Sequence, residues 1–147
     1  MDTVDSRPRS RIMASVPQRN SKPEVTLRKE LFRLGYRYRL HVKSLPGTPD
    51  IVLPKFRVSV FVHGCFWHRH ARCKLATEPT SRRAFWMTKF SANVERDIRK
   101  RKELRKLGWA SVVIWQCQIQ RSVKEAAEKV VRKLAVRVAG RQRVTEH

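Results

Sequence analysis

A chain of 147 residues fits one compact domain closed around a small core, and its 41% hydrophobic content is ordinary for a globular protein. Its charge is not ordinary: 34 Lys and Arg against 12 acids give +22, a field usually compensated by a polyanion, with nucleic acid the first candidate and an acidic membrane surface the second. No apolar run approaches the roughly 20 residues of a membrane span and no apolar signal core follows the first charges, so a cytoplasmic protein is expected. Three cysteines, an odd number in a reducing compartment, argue against a disulfide framework and for metal binding or plain burial.

Residues 1–20 are rich in Arg, Ser and Pro without any sustained period, which reads as a basic arm that orders on a partner or as an ordinary tail. Ser21, Pro23 and Glu24 make a helix-start signature, Leu27, Leu31 and Leu34 mark one face, and Gly35 ends the helix. Alternation from Tyr36 to Val42 predicts a half-buried strand. The loop Ser44–Pro49 then delivers Asp50 at the head of Ile51–Leu53, and a turn at 54–56 returns the chain as the buried run Val58–Val62. Those two runs predict a hairpin that sets Asp50 beside His63. After a loop dense in His, Cys and aromatics, Ser81–Leu107 predicts helix with a break near Ser91 and a buried stripe of Val94, Ile98, Leu104 and Leu107. Gly108 stops it. Ala110–Trp115 predicts an interior strand with Cys117 just beyond its end, and Val123–Val138 a last helix with Val130, Leu134 and Val138 inward. The whole reads as a single α/β domain over 21–140, with a basic tail at 141–147.

Three groups of residues carry candidate chemistry. Cys65, His70, Cys73 and Cys117 match the sulfur and nitrogen donors of a closed tetrahedral zinc site; the plainer reading of each cysteine is a small buried residue, and placement of the whole supply at strand ends and loops favours zinc. Asp50 at a strand head can hold magnesium, His63 or His68 can move the proton of an attacking water, and Asp97 can orient such an imidazole. Taken singly, Asp50 is as well explained by a turn and Asp97 by a salt bridge on a basic helix. Phe66 and Trp67 with Trp86 can wedge between bases, most cheaply where a duplex is already mispaired; Phe85 is expected in the core.

The motifs HGCFWH (His63–His68), SLPGTPD (Ser44–Asp50), FW (Phe85–Trp86), NVERD (Asn93–Asp97) and LGW (Leu107–Trp109) closely resemble the very short patch repair endonucleases, Vsr, over about Arg9–Cys117. These bacterial enzymes nick DNA at thymine:guanine mismatches left by deamination of 5-methylcytosine. The resemblance implies an α/β, restriction-endonuclease-like core, a central mixed β-sheet flanked by helices with a structural zinc and a catalytic magnesium. It further implies that Asp50 and the backbone carbonyl of Val62, where the family commonly has Thr, hold Mg2+, that His63 and His68 are catalytic with Asp97 supporting His68, and that Glu24 lies near the site. Zn2+ would sit on Cys65, His70, Cys73 and Cys117. Phe66, Trp67 and Trp86 would contact DNA, and the arm, with Met13, would embrace the duplex from the other groove.

The expected activity is Mg-dependent nicking of one strand 5′ of the mispaired thymine of a T:G pair in double-stranded DNA. The chain would act as a monomer at the bacterial nucleoid, with a mismatch-repair matchmaker as a candidate partner. The alternatives are a zinc-stabilised DNA-binding module without catalysis and a related nuclease without mismatch specificity.

Overall fold

The computed structural model describes residues 20–145, with side chains to Gly140; the basic arm with Met13, and the side chains of the tail from residue 141, lie outside the described residues. Ser21 caps the first helix, α1 (Lys22–Arg33), by accepting the N–H of Glu24 on its Oγ, with Pro23 in the first turn. The reciprocal bond of a capping box falls one residue outward, because Glu24 Oε1 accepts from the N–H of Asn20. Gly35, at φ +99°, closes the helix: its N–H donates to Phe32 O and that of Tyr36 to Leu31 O. Leu27 and Leu31 are buried as expected, whereas Leu34 is the exposed C-cap residue.

The strand expected over 36–42 shrinks to β1 (Arg39–Leu40). Tyr36 and Tyr38 do pack on the core, but His41, at φ +49°, turns the chain out of the extended conformation, and Leu40 is exposed. β2 (Ile51–Leu53) and β3 (Val58–His63) form the anticipated antiparallel hairpin, with Ile51 opposite Val60. β4 (Ala110–Trp115) joins β3 in parallel, from Val58 opposite Ala110 to His63 opposite Trp115, so the sheet is mixed and ordered β1-β2-β3-β4.

Side chains alternate across a strand, and the sheet uses its two faces differently. Val58, Val60, Val112 and Ile114 lie in one apolar cluster with Leu27 and Leu31 of α1, Ile119 of α3 (Gln116–Arg121) and Ala127, Val130 and Leu134 of α4 (Val123–Thr145). Phe61 and His63 occupy the intervening positions on β3, and Phe61 lies beside Gly47 and Lys100 of α2 (Arg83–Lys106). The core is on one side and the reactive residues on the other.

Several expectations need correction. The helix α2 runs unbroken through Ser91, an exposed position where serine costs a helix only a few tenths of a kcal/mol. Its expected apolar stripe is inward only in part: Leu104 is buried and Val94 partly so, but Ile98 is 43% exposed and Leu107 56%; Phe85, expected in the core, is 45% exposed, and the buried anchors of the helix are Phe90 and Leu104. Between those two anchors, Asn93, Asp97, Lys100 and Arg101 are partly buried, so α2 presents a polar face to the sheet. Helix α3 was not anticipated, and α4 runs past Val138, which is exposed. Among the described residues, no helix is long and apolar enough to cross a membrane.

The SLPGTPD loop is pinned where Gly47, at φ +79°, would bring a Cβ within 3.0 Å of Lys100 Cβ and 3.1 Å of the Phe61 ring. Gly47→Ala is therefore expected to lower stability by about 1–3 kcal/mol in urea unfolding. Gly140→Ala, in a helix with open space around it, should instead raise stability by about 0.5–1 kcal/mol.

Candidate active site and metal centres

At the end of β3 the chain leaves the sheet through His63 and wraps a compact loop under α2. His68 N–H donates to Gly64 O and His70 N–H to Cys65 O, folding the ligand-bearing segment back on itself. Arg69, at φ +52°, closes the loop from within: its guanidinium donates to the carbonyls of Phe66, Ala76 and Thr77 and lies 4.4 Å over the Phe90 ring. Asn93 of α2 reaches Trp67 O at 3.5 Å. Sequence reading assigned no part to Arg69 or Asn93; the NVERD motif that contains Asn93 was the available signal.

His68 Nδ1 lies 2.5 Å from Asp97 Oδ2, and its ring stacks on His63 at 3.8 Å with an interplanar angle of 5°. A ring that donates Nδ1–H to the carboxylate presents a lone pair at Nε2 while neutral. Burial would raise the Asp97 pKa, but the hydrogen bond from His68, with the positive charges around it, outweighs burial and holds the carboxyl below its usual range. His63 is pushed down to about 3, by burial first and then by the charges of His68 and Arg101 against the opposing pull of Asp97. Its Nδ1 is buried with no hydrogen-bond partner among the described residues. At neutral pH this imidazole is neutral.

Asp50 sits on the neighbouring strand, and its Oδ2 accepts the N–H of Val62 at 2.7 Å, one residue before His63. The hairpin thus brings the carboxylate and the histidine to the same end of the sheet. Asp50 also gathers with Glu24 and His41, each offering a donor atom within 4.8 Å of the others. The fully buried Glu24 accepts from Arg28 at 2.7 Å and pairs with His41 Nε2 at 2.9 Å. Asp50 is pushed up to about 7, by burial above all and further by the Glu24 charge, against the Val62 hydrogen bond. One buried and one partly buried carboxylate side by side are an oxygen-rich place for a hard divalent cation. In a regular strand over 36–42 His41 would alternate to the side away from Tyr36 and Tyr38; its left-handed backbone turns it onto Glu24 instead, and no sequence pattern announces that conformation.

The third cluster is Cys65, His70, Cys73 and Cys117, with all donor atoms within 4.8 Å of one another and Cys117 Sγ 3.4 Å from His70 Nδ1. That separation is close to the edge of a tetrahedron built on metal–sulfur bonds of about 2.3 Å and metal–nitrogen bonds of about 2.0 Å. Burial pushes the Cys65 thiol up to about 12, while backbone N–H groups, that of Leu75 first, draw Cys73 down. A divalent cation would remove the cost of the first by ionising it. Gln116 ties this site to the strand ends, its Oε1 accepting the N–H of Cys65 at 3.2 Å.

Phe66, Trp67 and Trp86 form one partly exposed aromatic group around buried Phe90, with Trp67 and Trp86 centroids 5.8 Å apart and Phe66 and Trp67 5.1 Å apart. Lys89 lies 5.7 Å over the Trp86 ring, and Arg83, Arg96, Arg99 and Lys102 are exposed along the rest of α2. All of the sequence-predicted site residues among the described ones therefore fall into four adjoining groups at one end of the sheet.

Residues 1–75 match the family model of the DNA mismatch endonuclease Vsr. The chain is 46% identical over 118 residues to the type II nicking enzyme V.XorIIP of Xanthomonas oryzae pv. oryzae, covering 80% of this chain and 86% of that one. It is 36% identical over 139 residues to the DNA mismatch endonuclease Vsr of Escherichia coli K12, covering 95% and 88%. The chain belongs to the Vsr DNA mismatch endonuclease family. A third relative, the type II nicking enzyme V.NmeAIP of Neisseria meningitidis, is 39% identical over 135 residues, covering 90% and 96%. As a Vsr-family endonuclease the protein acts on DNA.

The buried, neutral state of His63 gives the fold a definite acid response. The unfolded chain binds a proton near pH 6.5 that the folded chain refuses down to about 3, so stability falls as pH drops through that window, by up to about 1.4 kcal/mol per unit. Denaturant unfolding from pH 7 to 4.5 should show a steeper loss in the wild type than in His63→Asn; parallel curves would contradict a buried neutral imidazole.

Proposed function

We propose that this protein nicks one strand of duplex DNA on the 5′ side of the mispaired thymine of a T:G pair, by Mg2+-dependent hydrolysis of the phosphodiester. The observation that carries the reading is the run Asp97, His68, His63, with Asp50 bound to the backbone next to His63. A protein that only bound DNA would have no use for a carboxylate-oriented imidazole beside a carboxylate of raised proton affinity.

Asp50 and the carbonyl of Val62 would hold the ion, which when bound gathers charge on the phosphate and acidifies water. His68, fixed by Asp97, accepts the proton of the attacking water at Nε2. His63 stays neutral and keeps the plane of His68 by stacking. Glu24, locked by Arg28 and His41, keeps a second negative charge against Asp50 and so raises the affinity of that corner for a cation. Cys65, His70, Cys73 and Cys117 would bind Zn2+ and hold the loop that carries both imidazoles. Phe66, Trp67 and Trp86 enter the base stack beside the mispair, where unstacking costs least, and the coat of Lys and Arg supplies affinity that falls steeply with salt.

A nicking assay on T:G and fully paired duplexes tests the reading. The wild type should cut the mismatched strand, and Asp50→Ala should lose about 10³-fold in rate while still binding DNA. Equal cutting of both duplexes would point to a nuclease without mismatch specificity, and binding without cutting to a non-catalytic module.

Mg2+ must also displace the Asp50 proton. Because that carboxyl is pushed up to about 7, apparent Mg2+ affinity should weaken about tenfold for each unit of pH below 7 and level off above it. Mg2+ titrations of the nicking rate from pH 5.5 to 8.5 read this directly, and a flat profile would remove Asp50 from the ion's ligands.

A further inference from the structure

Trp115 ends β4 level with His63, its partner in the parallel register. The Trp115 ring stacks on His70 at 4.2 Å and 10°, and meets the His63 ring edge-on at 5.2 Å and 77°. His63 in turn lies flat on His68, and His70 touches Cys117. An unbroken set of contacts therefore runs from Asp97 through His68, His63, Trp115 and His70 to the thiol cluster. The backbone of Trp115 is tied from behind: its main-chain N–H donates to Gln118 Oε1 at 2.9 Å, at the start of the helix that carries Cys117. His63 makes no hydrogen bond through its buried Nδ1, so ring contacts with His68, Trp115 and Phe61 carry its orientation.

We propose that Trp115 is a positioning residue for the histidine pair, transmitting the geometry of the Cys65–His70–Cys73–Cys117 site to His63 and through it to His68. The inference rests on reading those imidazoles as catalytic, and it adds a dependence: an ion held by the thiol cluster would fix, through these rings, the orientation of His68 as well as the fold of the loop. Ring packing transmits displacement because a close-packed contact has no slack, and a misplacement of about 1 Å at a reacting group can cost about 10²-fold in rate.

The test uses the full chain with 13C-labelled histidine rings, loaded with Zn2+ or with the larger, softer Cd2+, whose longer bonds to sulfur move the ligands without emptying the site. In the wild type, exchange of Zn2+ for Cd2+ should shift the ring resonances of both His70 and His63. In Trp115→Leu the His70 shift should persist and the His63 shift vanish, with metal content and KM for T:G duplex unchanged and kcat lowered about 10²-fold. Trp115→Phe should restore most of the rate and of the His63 response. Trp115→Met, a ringless side chain of similar length, repeats the comparison should the leucine variant not fold. A His63 shift that survives without the ring, a rate within about threefold of wild type, or a phenylalanine variant as impaired as the leucine one would each overturn the proposal. Should wild type cut neither duplex, the catalytic reading falls by itself, and the resonance arm still decides whether Trp115 couples the two sites.

Discussion

Every group at the site depends on the parallel pairing of β3 with β4, and on its register. With His63 opposite Trp115, the chain leaves β3 toward Cys65 and His70 at the same level at which it leaves β4 toward Cys117. Donors far apart in sequence then close on one another without either strand bending. A slip by one residue would turn His63 to the apolar face and carry Cys117 away from its partners, so register here determines chemistry as well as packing. The hairpin of β2 and β3 extends the same constraint to Asp50, whose carboxylate is held by the N–H just before His63.

Helix α2 shows what such a site requires of its lid. A helix over a sheet ordinarily turns an apolar stripe inward. Here Phe90 and Leu104 anchor the two ends of the contact and the turns between them place Asn93, Asp97, Lys100 and Arg101 against the loop and sheet. Part of the packing energy of an apolar interface is given up for directed polar contacts, those of Asn93 to Trp67 and Asp97 to His68. Remaining stability comes from the opposite face, where α1, α3 and α4 close a continuous aliphatic cluster.

Much of this was legible in the sequence, for identifiable reasons. The cap at Ser21, the stop at Gly35 and the hairpin from Ile51 to Val62 are local signals, and local signals were enough. The four metal-ligand candidates were carried by residue type and placement, whereas the His68–Asp97 pair rested on the family resemblance, because Asp97 taken singly is as well explained by a salt bridge on a basic helix. Periodicity was only half right where burial and polarity part company: of the stripe Val94, Ile98, Leu104 and Leu107 on α2, Leu104 is buried and Val94 partly so, but Ile98 and Leu107 are exposed and polar residues take the inward turns. His41 escaped notice because its role follows from a left-handed backbone position, and Trp115 because an aromatic at the end of a buried strand looks like ordinary core.

The two faces of the sheet answer to different demands, and this has a bearing on how members of such a family diverge. Substitutions among Leu27, Val60, Val112, Val130 and Leu134 alter how firmly the scaffold holds together and leave the loop chemistry alone. The exposed cations of α2 lie outside that aliphatic cluster, so changes there leave the scaffold alone. A lineage can therefore alter its charged surface or its working temperature by separate sets of mutations, each nearly silent in the other's terms.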